Sequence, residues 1–107
     1  MPASTLRRTA LALALAATFG TLGCSESADS LVASGDAALA KGDYRTAQIQ
    51  LTSALQKDGN NVRARWLLGE LSLAVEDGAS AEKEIRRAGE LGVGNEAVIP
   101  ALVKAAY

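Results

Sequence analysis

Residues 35–61 read GDAALAKGDYRTAQIQLTSALQKDGNN, and the spacing of the apolar residues in this stretch decides the fold. Working outward from it, Leu31, Val32, Gly35, Ala38 and Leu39 recur at the three- and four-residue steps of one helix face. Lys41-Gly42-Asp43 interrupts the pattern, and Tyr44, Ala47, Leu51, Ala54 and Leu55 resume it. Lys57-Asp58-Gly59-Asn60-Asn61 then supplies a cation in a last helical turn followed by a run of turn formers. The stretch therefore predicts two helices joined by a tight turn.

The same pattern comes again. Residues 64–93, ARWLLGELSLAVEDGASAEKEIRRAGELGV, carry an apolar run through Val75, a break at Glu76-Asp77-Gly78, and a second helix marked by Ala81, Ile85, Ala88 and Leu91. Shifting the chain by 34 residues lays Gly35 on Gly69, Leu51 on Ile85, Ala47 on Ala81 and Ala54 on Ala88, and Asp43 on Asp77 in the turn. A fixed period of this length is the mark of a stacked helical repeat. Glycine and alanine let paired helices approach, and the large residue fills the space between them. From Asn95 a third copy begins, with Val98, Ile99, Ala101, Leu102 and Val103, and with Pro100 read as part of a first helical turn.

The small residue of the first helix and the paired alanines of the second resemble the tetratricopeptide repeat: Gly35, Ala47 and Ala54 in one copy, Gly69, Ala81 and Ala88 in the next. The resemblance implies an all-α fold of antiparallel helix hairpins, an α-solenoid. Two positions depart from the pattern. The apolar anchor at Leu31 becomes Arg65 in the second copy, and the proline that usually closes a repeat is Gly59 and then Val93. The quoted phrases are also similar to the opening repeats of tetratricopeptide-repeat lipoproteins of the PEP-CTERM/exosortase exopolysaccharide system. That likeness implies a scaffold tied to exopolysaccharide production or PEP-CTERM protein sorting.

Upstream of the repeats, Arg7 and Arg8 precede an uncharged stretch from Thr9 to Gly23, rich in Ala and Leu. A positive start, an apolar run and a small residue before a cut are the parts of an export signal. The stretch of 15 residues is shorter than the roughly 20 needed to span a bilayer. Thr21-Leu22-Gly23-Cys24 resembles a lipobox, in which the peptidase cuts between Gly23 and Cys24 and the thiol of Cys24 carries the lipid. The competing reading is an ordinary signal cleaved elsewhere with a chance cysteine beside it. Lipidation places the protein on the periplasmic side of the envelope, and Ser25, in place of an aspartate, is compatible with the outer membrane.

The expected layout is a signal peptide over 1–23, a polar tether over 24–30, repeat 1 over 31–61, repeat 2 over 62–95, and the first helix of an incomplete third repeat over 96–107. Beyond Cys24 nine basic residues face twelve acidic ones and are dispersed among them, which argues against nucleic acid. One cysteine excludes an internal disulfide, and the absence of histidine removes the commonest metal ligand and general base. Neither Glu76-Asp77, in a turn, nor Glu82 and Glu84 on a helix has the spacing or the histidine company of acid–base work, and both pairs read as solvated surface. No catalytic residue, cofactor or metal is expected.

What remains is an interaction surface. In the repeat class that the sequence resembles, partners lie along the concave face made by the first helix of each hairpin, which implies Val32, Asp36 and Leu39 in one copy and Arg63, Trp66, Glu70 and Leu73 in the next. A protein or peptide partner would meet Trp66 as an aromatic anchor and Arg63 as a charged clamp. Against this, Trp66 can equally serve as packing between hairpins, with Arg63 and Glu70 in water. Two functions follow: a membrane-anchored interaction scaffold, or a truncated, non-catalytic structural fragment of a longer repeat protein.

Overall fold

The computed structural model describes residues 26–107, and the expected export signal, with Gly23 and Cys24, lies outside them. Five helices follow one another among the described residues: α1 (Ala28–Ala40), α2 (Tyr44–Lys57), α3 (Val62–Ala74), α4 (Gly78–Glu90) and α5 (Asn95–Ala106). Helix α1 packs on α2, α3 on α4, and α5 along α4, while α2 and α1 both touch α3. This is the expected succession of all-α hairpins.

Local chemistry sets each boundary at the repeat spacing. Ser27 and Asn61, 34 residues apart, cap α1 and α3 by accepting the backbone N–H of Ser30 at 3.1 Å and of Ala64 at 3.0 Å. Because Ser27 is the cap, Ala28, Asp29 and Ser30 form the first turn of α1. Asp43 and Asp77 have two jobs. Each closes the preceding helix through its own N–H, to Ala38 and Ser72, and caps the following one with its carboxylate, on Thr46 and Ser80. The closing turn needs a left-handed residue just before the aspartate, and Gly42 supplies it at φ 77° while Glu76 takes it at φ 59°.

The core follows the small-to-large pairing. Leu51 and Ile85 are sealed from solvent, and a Cβ placed on Gly35 or Gly69 would stand 2.6 Å from Leu51 Cγ or 2.7 Å from Ile85 Cγ1. Ala47, Ala54, Ala81 and Ala88 are fully buried. Leu31, Val32, Leu51, Ala54, Ala64 and Leu67 make one cluster across the first hairpin and α3. A second joins Ala81 and Ile85 of α4 to Val98 and Ala101 of α5.

Both departures from the repeat pattern find a local solution. Arg65 reaches Glu84 of α4 at 3.0 Å and also donates to the carbonyl of Gly59, so a polar residue at the anchor position is satisfied rather than merely tolerated. Glu84 is thereby withdrawn from water, which corrects its reading as solvated surface; Glu82 is exposed and pairs with Arg86 one turn on. Without a closing proline, α2 stops because Asp58 leaves the helical region at φ −144° and its carboxylate accepts the N–H of Asn60. Helix α4 stops one repeat position earlier, through Gly92 at φ 124°.

Pro100 is not in a first turn. Gly94 caps α5, so the proline falls in its sixth position, inside the helix. There the missing N–H leaves the carbonyl of Glu96 without its helical donor. Glu96 is exposed, so water replaces that bond.

Candidate functional site

Arg63, Trp66, Glu70 and Leu73 all ride on α3, but the fold divides them. Arg63 turns toward α1 and pairs with Asp36, both side chains remaining largely in water. Trp66, Glu70 and Leu73 face the other way, into an open cleft of about 930 Å³ between α3 and α5. Ile85 of α4 forms part of its lining, Ala101 and Lys104 belong to the α5 wall, and Tyr107 stands at its rim. Val32, expected on the same concave face, is only 2% exposed and belongs to the core, because its side chain is needed to fill the space beneath Leu67 and Ala64.

Trp66 stands where the packing of the hairpins meets the cleft. Its ring is half-buried against the α4–α5 cluster, and it also lines the cleft. Its Nε1–H donates to Glu70 Oε1 at 3.1 Å, one helical turn along, so the indole is held in place by a carboxylate that itself stays exposed. Across the cleft Lys104 occupies the same repeat position as Glu70, yet no ion pair joins them among the described residues.

The cleft exists because the first helices of successive hairpins are not spaced alike. Helices α1 and α3 meet, and the Arg63–Asp36 pair bridges them. Helices α3 and α5 barely do; α5 lies along α4 instead, with the carbonyl of Ala105 against Gly78 at the start of that helix. The linker gives the reason: α4 exits through left-handed Gly92, where α2 exits through extended Asp58, and α5 starts one repeat position earlier than α3. Sequence periodicity alone does not expose this difference.

The arrangement can bind, and its chemistry is that of recognition. An aromatic ring, an apolar floor at Leu73 and Ile85, and two carboxylates, Glu70 and Glu76, with one ammonium, Lys104, suit a side chain with an apolar stem and a polar end. Among the described residues no three His, Cys, Asp or Glu side chains gather as metal ligands do, and every buried side-chain nitrogen or oxygen has a hydrogen-bond partner. No described helix is long and apolar enough to cross a membrane.

The family model for the tetratricopeptide repeat matches residues 38–103, which takes in most of both hairpins and most of α5. No curated protein and no solved structure matches the chain.

Proposed function

The chain belongs to the tetratricopeptide repeat family, and from that premise we propose that it is a lipid-anchored scaffold holding a protein partner on the periplasmic side of the cell envelope. Repeats of this family are protein–protein interaction scaffolds. The observation that carries the reading is the cleft between α3 and α5, where Trp66, Glu70 and Leu73 face solvent together. A tryptophan left partly open to a cleft beside an exposed carboxylate is a feature of recognition surfaces. The anchor is the lipid on Cys24, attached before the peptidase cuts between Gly23 and Cys24, with the polar residues that follow as tether. The resemblance to lipoproteins of the PEP-CTERM/exosortase system supplies the setting, exopolysaccharide production or protein sorting.

Peptide selection from a displayed random library against wild type, Trp66→Ala and Glu70→Ala tests the scaffold. Sequences enriched by wild type and lost with both variants, at unchanged helicity, support it; enrichment indifferent to both variants overturns the site. Radiolabelled palmitate tests the anchor separately. Wild type should take up label and Cys24→Ser should not, and an unlabelled wild type overturns lipidation.

A second reading, a non-catalytic structural piece of a longer repeat array, is favoured by the exposed apolar residues Ile99 and Val103 on α5. In the repeat register Val103 holds the position of Gly35 and Gly69, where a second helix docks. A stop codon directly after Tyr107 would support this truncated fragment, and further copies at the same spacing in the reading frame would favour the scaffold instead.

A further inference from the structure

We propose that the α3–α5 cleft binds a partner segment through an arginine, whose guanidinium takes the place at Glu70 that Arg63 takes at Asp36. The inference rests on the reading of this cleft as the partner site, and it names the chemistry of what enters.

The molecule contains its own template. Asp36 of α1 is met by Arg63, 27 residues further along, and that pair bridges α1 to α3. One repeat later Asp36 becomes Glu70, so the carboxylate is kept; Arg63 becomes Ala97, so the cation is not. The same step widens the space between the two helices from a contact into a cleft of about 930 Å³. An acid retained where its arginine is lost, at the point where the helices part, leaves room and charge for an arginine supplied from outside.

The surroundings favour guanidinium over a simple ammonium. Glu70 Oε1 accepts from Trp66 Nε1, which fixes the carboxylate and leaves its other oxygen to accept from a guanidinium. A planar fork can bond a carboxylate while its stem and plane rest on an aromatic and apolar lining, here Trp66 and Leu73. Glu76, also in the lining, adds negative charge on the α3 side. Lys104 on the opposite wall would repel a free cation but suits a segment that also offers a carbonyl or carboxylate, as a peptide does.

Trp66 is the only tryptophan, so its fluorescence reports on the cleft directly. The full chain is titrated with the peptide acetyl-Ala-Leu-Arg-Leu-Ala-amide, with the same peptide carrying citrulline in place of arginine, and with acetyl-arginine amide. The arginine peptide should saturate a change in Trp66 emission. Citrulline, of the same shape without the charge, should bind about tenfold or more weakly, and Glu70→Gln should weaken the arginine peptide about as much while leaving the citrulline peptide unaffected. Ala97→Arg, which returns the missing cation in the repeat register, should also weaken it. Equal binding of arginine and citrulline peptides overturns the proposal and leaves the cleft as a partner site. No response to either peptide from a chain whose library selections do depend on Trp66 overturns the arginine alone; failure of both overturns the cleft. Acetyl-arginine amide binding as tightly as the peptide overturns the assignment to a protein segment.

Discussion

Gly35 stands against Leu51 as Gly69 stands against Ile85, and in each pair the missing Cβ is the space that the larger side chain fills. Alanine is the better helix former by about 1 kcal/mol. A Cβ at 2.6 Å from Leu51 Cγ cannot be accommodated without moving a sealed side chain, and overpacking of this kind costs about 1–3 kcal/mol. Gly35→Ala should therefore show a net loss of up to about 2 kcal/mol in urea unfolding. The double variant Gly35→Ala with Leu51→Val should recover part of that loss relative to the sum of the single changes. Strict additivity would mean that the two residues do not share the space.

The two turns inside the hairpins differ at the residue that takes the left-handed conformation. Gly42 takes the left-handed conformation freely, whereas Glu76 holds it at φ 59° against a steric cost of about 1 kcal/mol. Glu76→Gly should raise the stability by about that much, and Gly42→Ala should lower it by a similar amount, both read from thermal or urea melts. Glu76 also lines the cleft, so the stabilised variant should bind a cationic peptide no better and slightly less well than wild type.

Asp43 and Asp77 make the hairpins sensitive to acid. Hydrogen bonding from Thr46 holds the Asp43 carboxyl below the usual aspartate value, first through the hydroxyl and then through the backbone N–H; Ser80 does the same for Asp77. A group whose folded value is depressed contributes in full above its unfolded value, about pH 4, and loses that contribution as the pH falls through the folded value. Asp43→Asn and Asp77→Asn keep a capping oxygen but no titratable charge. The double asparagine variant should show a smaller loss of melting temperature between pH 5 and pH 2 than wild type; an equal loss would place the acid sensitivity elsewhere.

How far the sequence reaches is visible residue by residue. The pairing of Gly35 with Leu51, the capping aspartates and the apolar faces are local or periodic features, and a shift of 34 residues displays them. Trp66, Glu70 and Leu73 could be grouped because helical spacing puts them near one another. Val32 was misplaced because a repeat position describes a direction and not how deeply the next helix covers it. Arg63 and Glu84 find partners 27 and 19 residues away, and those pairings depend on how hairpins stack. The cleft depends on the backbone at Gly92 and on the missing side chain at Gly78, neither of which alters the hydrophobic pattern.

Among the described residues, Arg65 and Glu84 form the one ion pair that is largely withdrawn from solvent, with side chains 22% and 13% exposed. Removing one partner strands the other, whereas an apolar pair of similar volume need not be worse than the salt bridge. Glu84→Ala should cost about 1–3 kcal/mol in urea unfolding. The double change Arg65→Leu with Glu84→Gln copies Leu31 and Gln50 of the first hairpin and should fall within about 1 kcal/mol of wild type. A double variant as unstable as Glu84→Ala would show that the bond from Arg65 to the Gly59 carbonyl, and not the ion pair, is what holds the second hairpin to its linker.

Gly78 holds the position that Tyr44 holds in the first hairpin, and the difference sets where α5 can lie. The carbonyl of Ala105 comes so close to the Gly78 backbone that no Cβ fits between them. The obstructing atom is backbone at the end of α5, so a side-chain rotation cannot relieve it. Gly78→Ala should therefore leave α1 to α4 in place and push the last turn of α5 away from α4. Lys104 and Tyr107 would move with it, and the wall of the cleft opposite Trp66 would open. Helicity should fall only slightly, while the emission of Trp66 should shift to the red as water reaches the half-buried indole. A blue shift would mean that α5 settles onto α3 instead, closing the space that distinguishes the second step of the array from the first.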